Sequence, residues 1–195
     1  MRHHVIFVPG LGDHRSYGQD KAIRAWRVFG VQGHYHAVGW ADGETFTPKL
    51  NRLLAQIDEL AEQGHIVSLM GASAGASAVL NAFAARKDKI SGVALICGKV
   101  YRPEIMHPST FQHNPAFKGS MDLLATTLPT LQSVQRSHIL SLHPLADMTV
   151  PPKDTIIPGT REKTMFITGH AMGIAYGLTV SAYTITHFLK RTARI

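Results

Sequence analysis

The feature that most constrains the fold is a repeated order of short apolar segment, glycine-containing turn and helix-compatible segment. These units follow one another along the whole chain. Short apolar runs that alternate with helices are typical of a parallel sheet covered on both faces. We therefore predict a doubly wound α/β fold, with three layers and a mostly parallel sheet of about six strands. The predicted strands are 5–8, 35–40, 66–70, 93–97, 139–142 and 164–168.

The helix between the second and third predicted strands has the clearest pattern. Helices are predicted at 16–29, 48–63, 74–86, 119–134 and 173–190. For 48–63, Thr47 is a candidate N-cap, Pro48 suits the first turn and Gly64 ends the helix. An apolar stripe along this helix predicts that one face packs on the sheet. The stripe consists of Leu50, Leu53, Leu54, Ile57, Leu60 and Ala61.

Length and composition predict one compact unit. With 195 residues, of which 45% are hydrophobic and 17% charged, the chain has apolar material for one sizeable core. We expect a single domain over 1–195, with 99–118 as a short lid or substrate loop. Cys97 is the one cysteine, which excludes an intramolecular disulfide and agrees with a reducing compartment. The apolar start before Pro9 is too short for a secretory signal, so we expect a cytoplasmic protein.

The charge pattern argues against two kinds of partner. The formal net charge is +7, but lysines and arginines are scattered and do not interleave with aromatic residues. This favours a solvated surface over a nucleic-acid site, while a preference for anionic substrates or surfaces stays open. Residues 164–189 lack charged side chains but contain three glycines, so a core strand and helix explain them better than a membrane span. No motif among the 12 histidines indicates a metal site, and no cofactor is predicted.

A dense group of small residues follows the third predicted strand. It reads Gly71-Ala72-Ser73-Ala74-Gly75, a match to GxSxG. A serine held in a sharp strand-to-helix turn needs tiny neighbours on both sides, and its hydroxyl is then exposed above the sheet. Close packing of a helix on a strand would also explain the small residues. The motif alone therefore leaves a nucleophile and a packing junction both open.

Two later strand ends resemble those of the α/β-hydrolase superfamily. "SLHPLADMTVPP" is similar to the family's acid loop, with Pro144 in place of a glycine, and "FITGHAMG" places a Gly-His pair before the last helix. The family's order is nucleophile, acid, histidine. The resemblance therefore implies a catalytic triad of Ser73, Asp147 and His170. Asp154 is a weaker candidate for the acid because it lies outside the loop pattern.

The first strand end completes the resemblance. In the family, the loop after this strand supplies an oxyanion donor, commonly from a His-Gly pair; here "VIFVPGLGDH" has Pro9-Gly10 instead. A backbone donor needs no particular side chain. The resemblance therefore implies an oxyanion hole formed by the N–H groups of Leu11 and Ala74.

The resemblance implies a serine hydrolase of the carboxylesterase type without a cap domain. Segment 99–118 is too short and proline-rich for a full cap, which predicts an accessible site for small or medium acyl esters. A thioesterase or acyltransferase with the same triad is an alternative, and so is a noncatalytic binding module on the same fold. Candidate substrate contacts are Gly10, His14, Tyr101, Met106 and Phe111.

Overall fold

The chain forms one six-stranded parallel sheet with helices on both faces. The computed structural model describes residues 1–102, 104 and 106–193. Every neighbouring pair of strands is parallel. The predicted three-layer α/β architecture is therefore confirmed. The strands are β1 (His3–Val8), β2 (Gln32–Tyr35), β3 (Ile66–Ala72), β4 (Ile90–Ile96), β5 (Ile139–Ala146) and β6 (Arg161–Thr168). Their order in the sheet is β2-β1-β3-β4-β5-β6.

Alternate strand residues face two separate hydrophobic clusters. On β1, Ile6 and Val8 belong to one cluster, which also contains buried apolar residues of three helices, whereas Val5 and Phe7 belong to the cluster on the opposite face. This follows from the two-residue repeat of side-chain direction along a strand. The helices are α1 (Gln19–Ala25), α2 (Phe46–Glu62), α3 (Gly75–Ala85), α4 (Pro108–His113), α5 (Pro115–Thr127), α6 (Ser133–Arg136), α7 (His170–Leu178) and α8 (Ala182–Thr192).

The second strand differs from its prediction. It was expected at 35–40, but β2 ends at Tyr35, and the apolar residues Val38 and Trp40 lie in the following loop. β2 is a short edge strand and is at most partly buried. Its sequence, QGHY, therefore needs no run of apolar residues and has none. The apolar loop residues are buried in the core cluster instead, where the Trp40 ring packs against Phe46 and Phe117. Hydrophobicity therefore indicated the wrong segment.

The bounds of two predicted helices also need correction. α2 begins at Phe46 with Thr45 at the N-cap position, so Thr47 is not the cap. The expected helix at 119–134 is α5, which starts at Pro115, followed by a 3₁₀ turn and α6. Segment 99–118 contains α4 and the start of α5, and residues 103 and 105 within it lie outside the described residues.

The uncharged segment 164–189 contains the end of β6, all of α7 and most of α8, where one helix was expected at 173–190. Residues 179–181 lie between the two helices. Among the helices of the described residues, none has the length and apolar character needed to cross a bilayer.

The strand order sets the position of the site. The chain passes from β1 outward to β2 and then returns to β3 on the other side of β1. Ligands of doubly wound sheets bind at the carboxyl ends of strands where the direction of winding reverses. β1 and β3 end side by side there, with Val8 paired to Gly71. Gly10 and Ser73 follow these two strand ends, and Asp147 and His170 follow β5 and β6.

Histidines cluster at the opposite, amino end of the sheet. His4 stacks between His34 and His65, with ring centroids 5.0 and 4.5 Å away. His3 Nε2 lies 2.9 Å from the hydroxyl of Ser68. Burial, followed by neighbouring positive charge, lowers the pKa of His3 and of His4 to about 4. The folded protein therefore holds these rings neutral.

We expect the free energy of unfolding to fall as the pH drops from about 6.5 to about 4. The pKa values of His3 and His4 are below the ordinary 6.5, and burial also lowers the pKa of His34 and His36. In this window the unfolded chain binds more protons, which costs about 1.4 kcal/mol per pH unit for each proton. Urea unfolding at several pH values measures the slope. This slope should be shallower in the double variant with His3→Gln and His4→Gln. It should be unchanged in His113→Gln, which replaces an exposed histidine. A wild-type free energy of unfolding that does not change with pH in this window would contradict the prediction.

Candidate active site

Ser73 occupies a strained turn between β3 and α3. Its φ of 51° lies in the left-handed region, which non-glycine residues rarely adopt. A Cβ on Gly71 would lie 2.6 Å from the carbonyl oxygen of Gly75, and a Cβ on Gly75 would lie 2.1 Å from that of Val8. The turn therefore requires glycine on both sides of the serine. The Ser73 N–H donates to the carbonyl of Ile96 at 3.0 Å, which ties the turn to the end of β4.

Asp147 and His170 form a hydrogen-bonded pair beside this turn. His170 Nδ1 lies 2.7 Å from Asp147 Oδ2. The other oxygen, Oδ1, accepts from the backbone N–H groups of Thr149 and Val150 at 2.8 and 2.9 Å. The carboxylate is buried and acts only as an acceptor, so Nδ1 is the protonated nitrogen that donates to it. His170 Nε2 is then left as a proton acceptor.

Ser73 and His170 line one cavity of about 570 Å³. Among the described residues no hydrogen bond joins the Ser73 hydroxyl to His170; in ligand-free sites such bonds are often long and tighten when substrate binds. The remaining lining residues are mostly apolar, which is typical of small-molecule sites. They are Gly10, Leu11, Tyr17, Gln19, Ala74, Lys99, Met106, Phe117, Thr149, Val150, Ala171, Ile174, Ala175 and Leu178.

The loop after β1 lies directly against the serine. A Cβ on Gly10 would lie 2.8 Å from Ser73 Cβ and 3.3 Å from its Oγ, so only glycine allows this approach. The N–H groups of Leu11 and Ala74 donate to no other residue in the described part of the chain. Both residues line the cavity. Two backbone donors are therefore available next to Ser73.

Two side chains hold this loop in place. The buried carboxylate of Asp13 accepts from the N–H groups of Val38 and Gly39 at 2.6 and 2.7 Å. The indole N–H of Trp40 donates to the carbonyl of Pro9 at 3.2 Å. Asp13 and Trp40 therefore join the loop after β1 to the loop after β2. Residues 38–40, which the sequence predicts as part of a strand, supply this support from the loop after β2.

Asp154 lies in a different ionic network and does not contact His170. It is fully buried, and its Oδ2 accepts from Lys99 Nζ at 2.7 Å. Its Oδ1 accepts from Arg102 Nε. Of the two acids considered from the sequence, the structure brings Asp147 to the histidine.

The candidate substrate contacts divide into two groups. Gly10 and Met106 line the cavity, whereas His14, Tyr101 and Phe111 do not. His14 is exposed, and Tyr101 and Phe111 pack against the hydrophobic core. Sequence reasoning missed the lining residues Tyr17 and Gln19, and it predicted His170 but no other lining residue of α7; Lys99 was named only as the first residue of the proposed loop.

Cys97 adjoins the Asp147–His170 pair, but the three side chains suit a divalent metal poorly. One potential ligand atom from each lies within 4.8 Å of the others. Burial, followed by the charge of Asp147, raises the pKa of the Cys97 thiol to about 12. Metal binding needs a thiolate, and the 2.7 Å bond between Asp147 and His170 leaves no space for an ion between them. Asp147 and His170 therefore form a hydrogen-bonded pair, and Cys97 packs beside them as a neutral thiol.

Comparison with known proteins supports the fold. No protein-family model and no curated protein matches the sequence. Among solved structures, Est1E from Butyrivibrio proteoclasticus aligns with a TM-score of 0.69 at 15% identity, over 98% of this chain and 88% of its own. The monoacylglycerol lipase of Paleococcus ferrophilus aligns with a TM-score of 0.60 at 16% identity, over 97% and 94%.

A structure reported for the metagenome-derived lipolytic enzymes LipS and LipT aligns with a TM-score of 0.63 at 13% identity, over 99% of this chain and 94% of its own. These proteins are esterases and lipases by name, and each aligns over nearly the whole chain. Identities this low show a shared fold rather than a shared activity. The chain has the α/β-hydrolase fold.

Proposed function

We propose that the protein is a serine hydrolase that cleaves small to medium acyl esters. The observation that carries the proposal is the 2.7 Å bond from His170 Nδ1 to a buried Asp147, because it leaves Nε2 as a base at the cavity that Ser73 lines. A strained serine turn supports it further, since strain in the backbone concentrates at functional sites.

In the proposed mechanism Ser73 Oγ attacks the acyl carbon while His170 Nε2 takes its proton. The N–H groups of Leu11 and Ala74 stabilise the negative oxygen of the tetrahedral intermediate. His170 returns the proton to the leaving alcohol, and the acyl group stays on Ser73. Water, deprotonated by His170, then releases the acid and restores the serine. Asp147 holds the imidazole orientation and stabilises its positive charge.

The size and lining of the cavity support the substrate class. A volume of about 570 Å³ lies within the usual range for small-molecule sites, and its walls are mainly apolar. Est1E, which shares the fold, has been solved with ferulic acid bound. An assay panel should therefore include aromatic as well as short aliphatic acyl esters, with matched thioesters to compare the two leaving groups.

Covalent labelling tests the proposal directly. We expect a fluorophosphonate probe to add one adduct, seen by intact mass, which disappears in Ser73→Ala. Ser77→Ala is the matched control and should keep the adduct. Ser77 is buried and its hydroxyl donates to the carbonyl of Ala74 at 2.8 Å, so we do not expect the probe to label it. A folded protein without an adduct, or an adduct that persists in Ser73→Ala, would overturn the proposal and favour a noncatalytic binding module.

A further inference from the structure

The loop after β1 is held at two points, one on each side of Leu11. Before Leu11, the carbonyl of Pro9 accepts from the indole N–H of Trp40 at 3.2 Å. After it, the carboxylate of Asp13 accepts from two backbone N–H groups of residues 38–40 at 2.6 and 2.7 Å. The short segment between these two points carries the N–H of Leu11, the proposed oxyanion donor. The position of this donor therefore depends on the loop after β2.

A buried lysine fixes the loop after β2 from a second direction. Lys49 of α2 is 2% exposed, and its Nζ donates to the carbonyl groups of Val38 and Gly39 at 3.1 and 2.8 Å. The N–H groups of the same two residues donate to Asp13. Hydrogen bonds to charged groups are about twice as strong as those between neutral groups. A buried anion and a buried cation therefore hold both the N–H and the carbonyl groups of this backbone.

Trp40 is fixed by packing as well as by its hydrogen bond. It has no exposed surface, and its ring packs against Phe46 and Phe117, with ring centroids 6.4 and 5.8 Å away. The indole nitrogen is the one polar atom of this side chain, and it is a donor only. Because the ring is held on its faces and edge, the N–H that binds Pro9 has a fixed direction.

We propose that Trp40 and Asp13 are positioning residues that hold the N–H of Leu11 where the oxyanion forms. This role rests on the proposed serine hydrolase function. Neither side chain lines the cavity, so each acts through the backbone of the loop after β1. Donors that are fixed before the reaction stabilise the oxyanion without having to reorganise. A displacement of about 1 Å, caused far from the reacting atoms, can lower a rate about 100-fold.

Trp40→Phe tests the proposal, because phenylalanine keeps an aromatic ring in the core but lacks the N–H that binds Pro9. We expect kcat to fall about 10- to 100-fold while KM changes little, since the oxyanion forms only after the substrate has bound. Affinity for an aryl trifluoromethyl ketone, which adds to Ser73 as a tetrahedral oxyanion, should fall by about the same factor as kcat/KM. A loss of stability alone would change neither value per folded protein.

Trp26→Phe is the matched control. Trp26 is the other tryptophan of the chain, is 1% exposed and donates its indole N–H to the carbonyl of Leu178 at 2.8 Å. It lies in the hydrophobic cluster on the opposite face of the sheet from Trp40. The control therefore loses a comparable buried hydrogen bond outside the loop after β1. It should lower the free energy of unfolding and leave kcat near the wild-type value.

Asp13→Asn tests the second point of attachment. The amide has the same shape, but it carries no charge, and an NH₂ group in place of Oδ1 cannot accept from the N–H of Trp40, which lies 3.4 Å away. We expect kcat to fall with little change in KM, as for Trp40→Phe. Circular dichroism checks the folding of each variant. If Trp40→Phe does not fold, Asp13→Asn decides the question.

The outcomes separate this proposal from the hydrolase function. A folded Trp40→Phe protein with wild-type kcat, or with unchanged affinity for the ketone, would overturn the positioning role while the hydrolase function stands. A rise in KM without a fall in kcat would overturn it too, because the side chain would then act on substrate binding. If the wild type hydrolyses no ester and gives no fluorophosphonate adduct, both proposals are wrong.

Discussion

Replacing Ser73 by alanine is expected to lower kcat on ester substrates about 10⁶-fold, and adding His170→Ala is expected to lower it no further. The serine supplies the attacking oxygen, and every proton transfer by the histidine belongs to the formation or breakdown of the acyl group on that serine. Once the hydroxyl is gone, the base has nothing to activate. His170→Ala alone should therefore cost about as much as Ser73→Ala alone. The measurement is a double-mutant cycle. It compares the hydrolysis rates of the wild type, Ser73→Ala, His170→Ala and the double variant, each normalised to the amount of folded protein.

The control for this cycle is His187→Ala, because His187 is an exposed residue of α8. It should keep wild-type kcat. A further loss when His170→Ala is added to Ser73→Ala would contradict the prediction, since it would mean that His170 activates water without the serine. Losses that simply add would likewise argue for two independent roles rather than one unit.

The ends of the strands were the most predictable part of the molecule. A parallel sheet brings the carboxyl ends of all its strands to one edge, so residues far apart in sequence must meet there. Ser73, Asp147 and His170 follow three different strands, and knowing the order of motifs was enough to expect them at one edge. Their roles in catalysis stay a prediction until the variants are measured.

The edge strand and the loop after it were less predictable. Hydrophobicity is a good guide to strands that are buried on both faces, such as β3 and β4, but β2 has a neighbour on one side only. The apolar residues Val38 and Trp40 lie in a loop but are buried in the core cluster, where the Trp40 ring packs against Phe46 of α2 and Phe117 of α5. A local pattern cannot separate an apolar residue of a buried strand from one of a loop that packs on helices.

The buried ion pair next to the cavity could not be predicted from the local sequence either. Lys99 and Asp154 are 55 residues apart, and lysine and aspartate are residue types that are mostly exposed. Their burial depends on each other, because either charge alone would be costly inside the protein. No periodicity encodes such a pair. Its position beside the serine became visible only once the contacts between distant segments were known.

Replacing Asp147 by asparagine is expected to lower kcat about 10⁴-fold while the protein stays folded. An amide of the same shape still fills the buried position, and its oxygen can accept from the N–H groups of Thr149 and Val150, which now donate to Oδ1 at 2.8 and 2.9 Å. Its NH₂ group then faces His170 Nδ1 and donates to it. The imidazole proton moves to Nε2, and the nitrogen that should accept the serine proton can no longer do so.

Asp58→Asn is the matched control, because that carboxylate also accepts several hydrogen bonds, from Arg86 and Lys89, but lies outside the cavity lining. It should change stability and leave kcat near the wild-type value. Fluorophosphonate labelling should slow in Asp147→Asn in parallel with kcat, since both depend on the same base. Full activity in a folded Asp147→Asn protein would contradict the assignment, and the 2.7 Å bond to His170 would then serve packing alone.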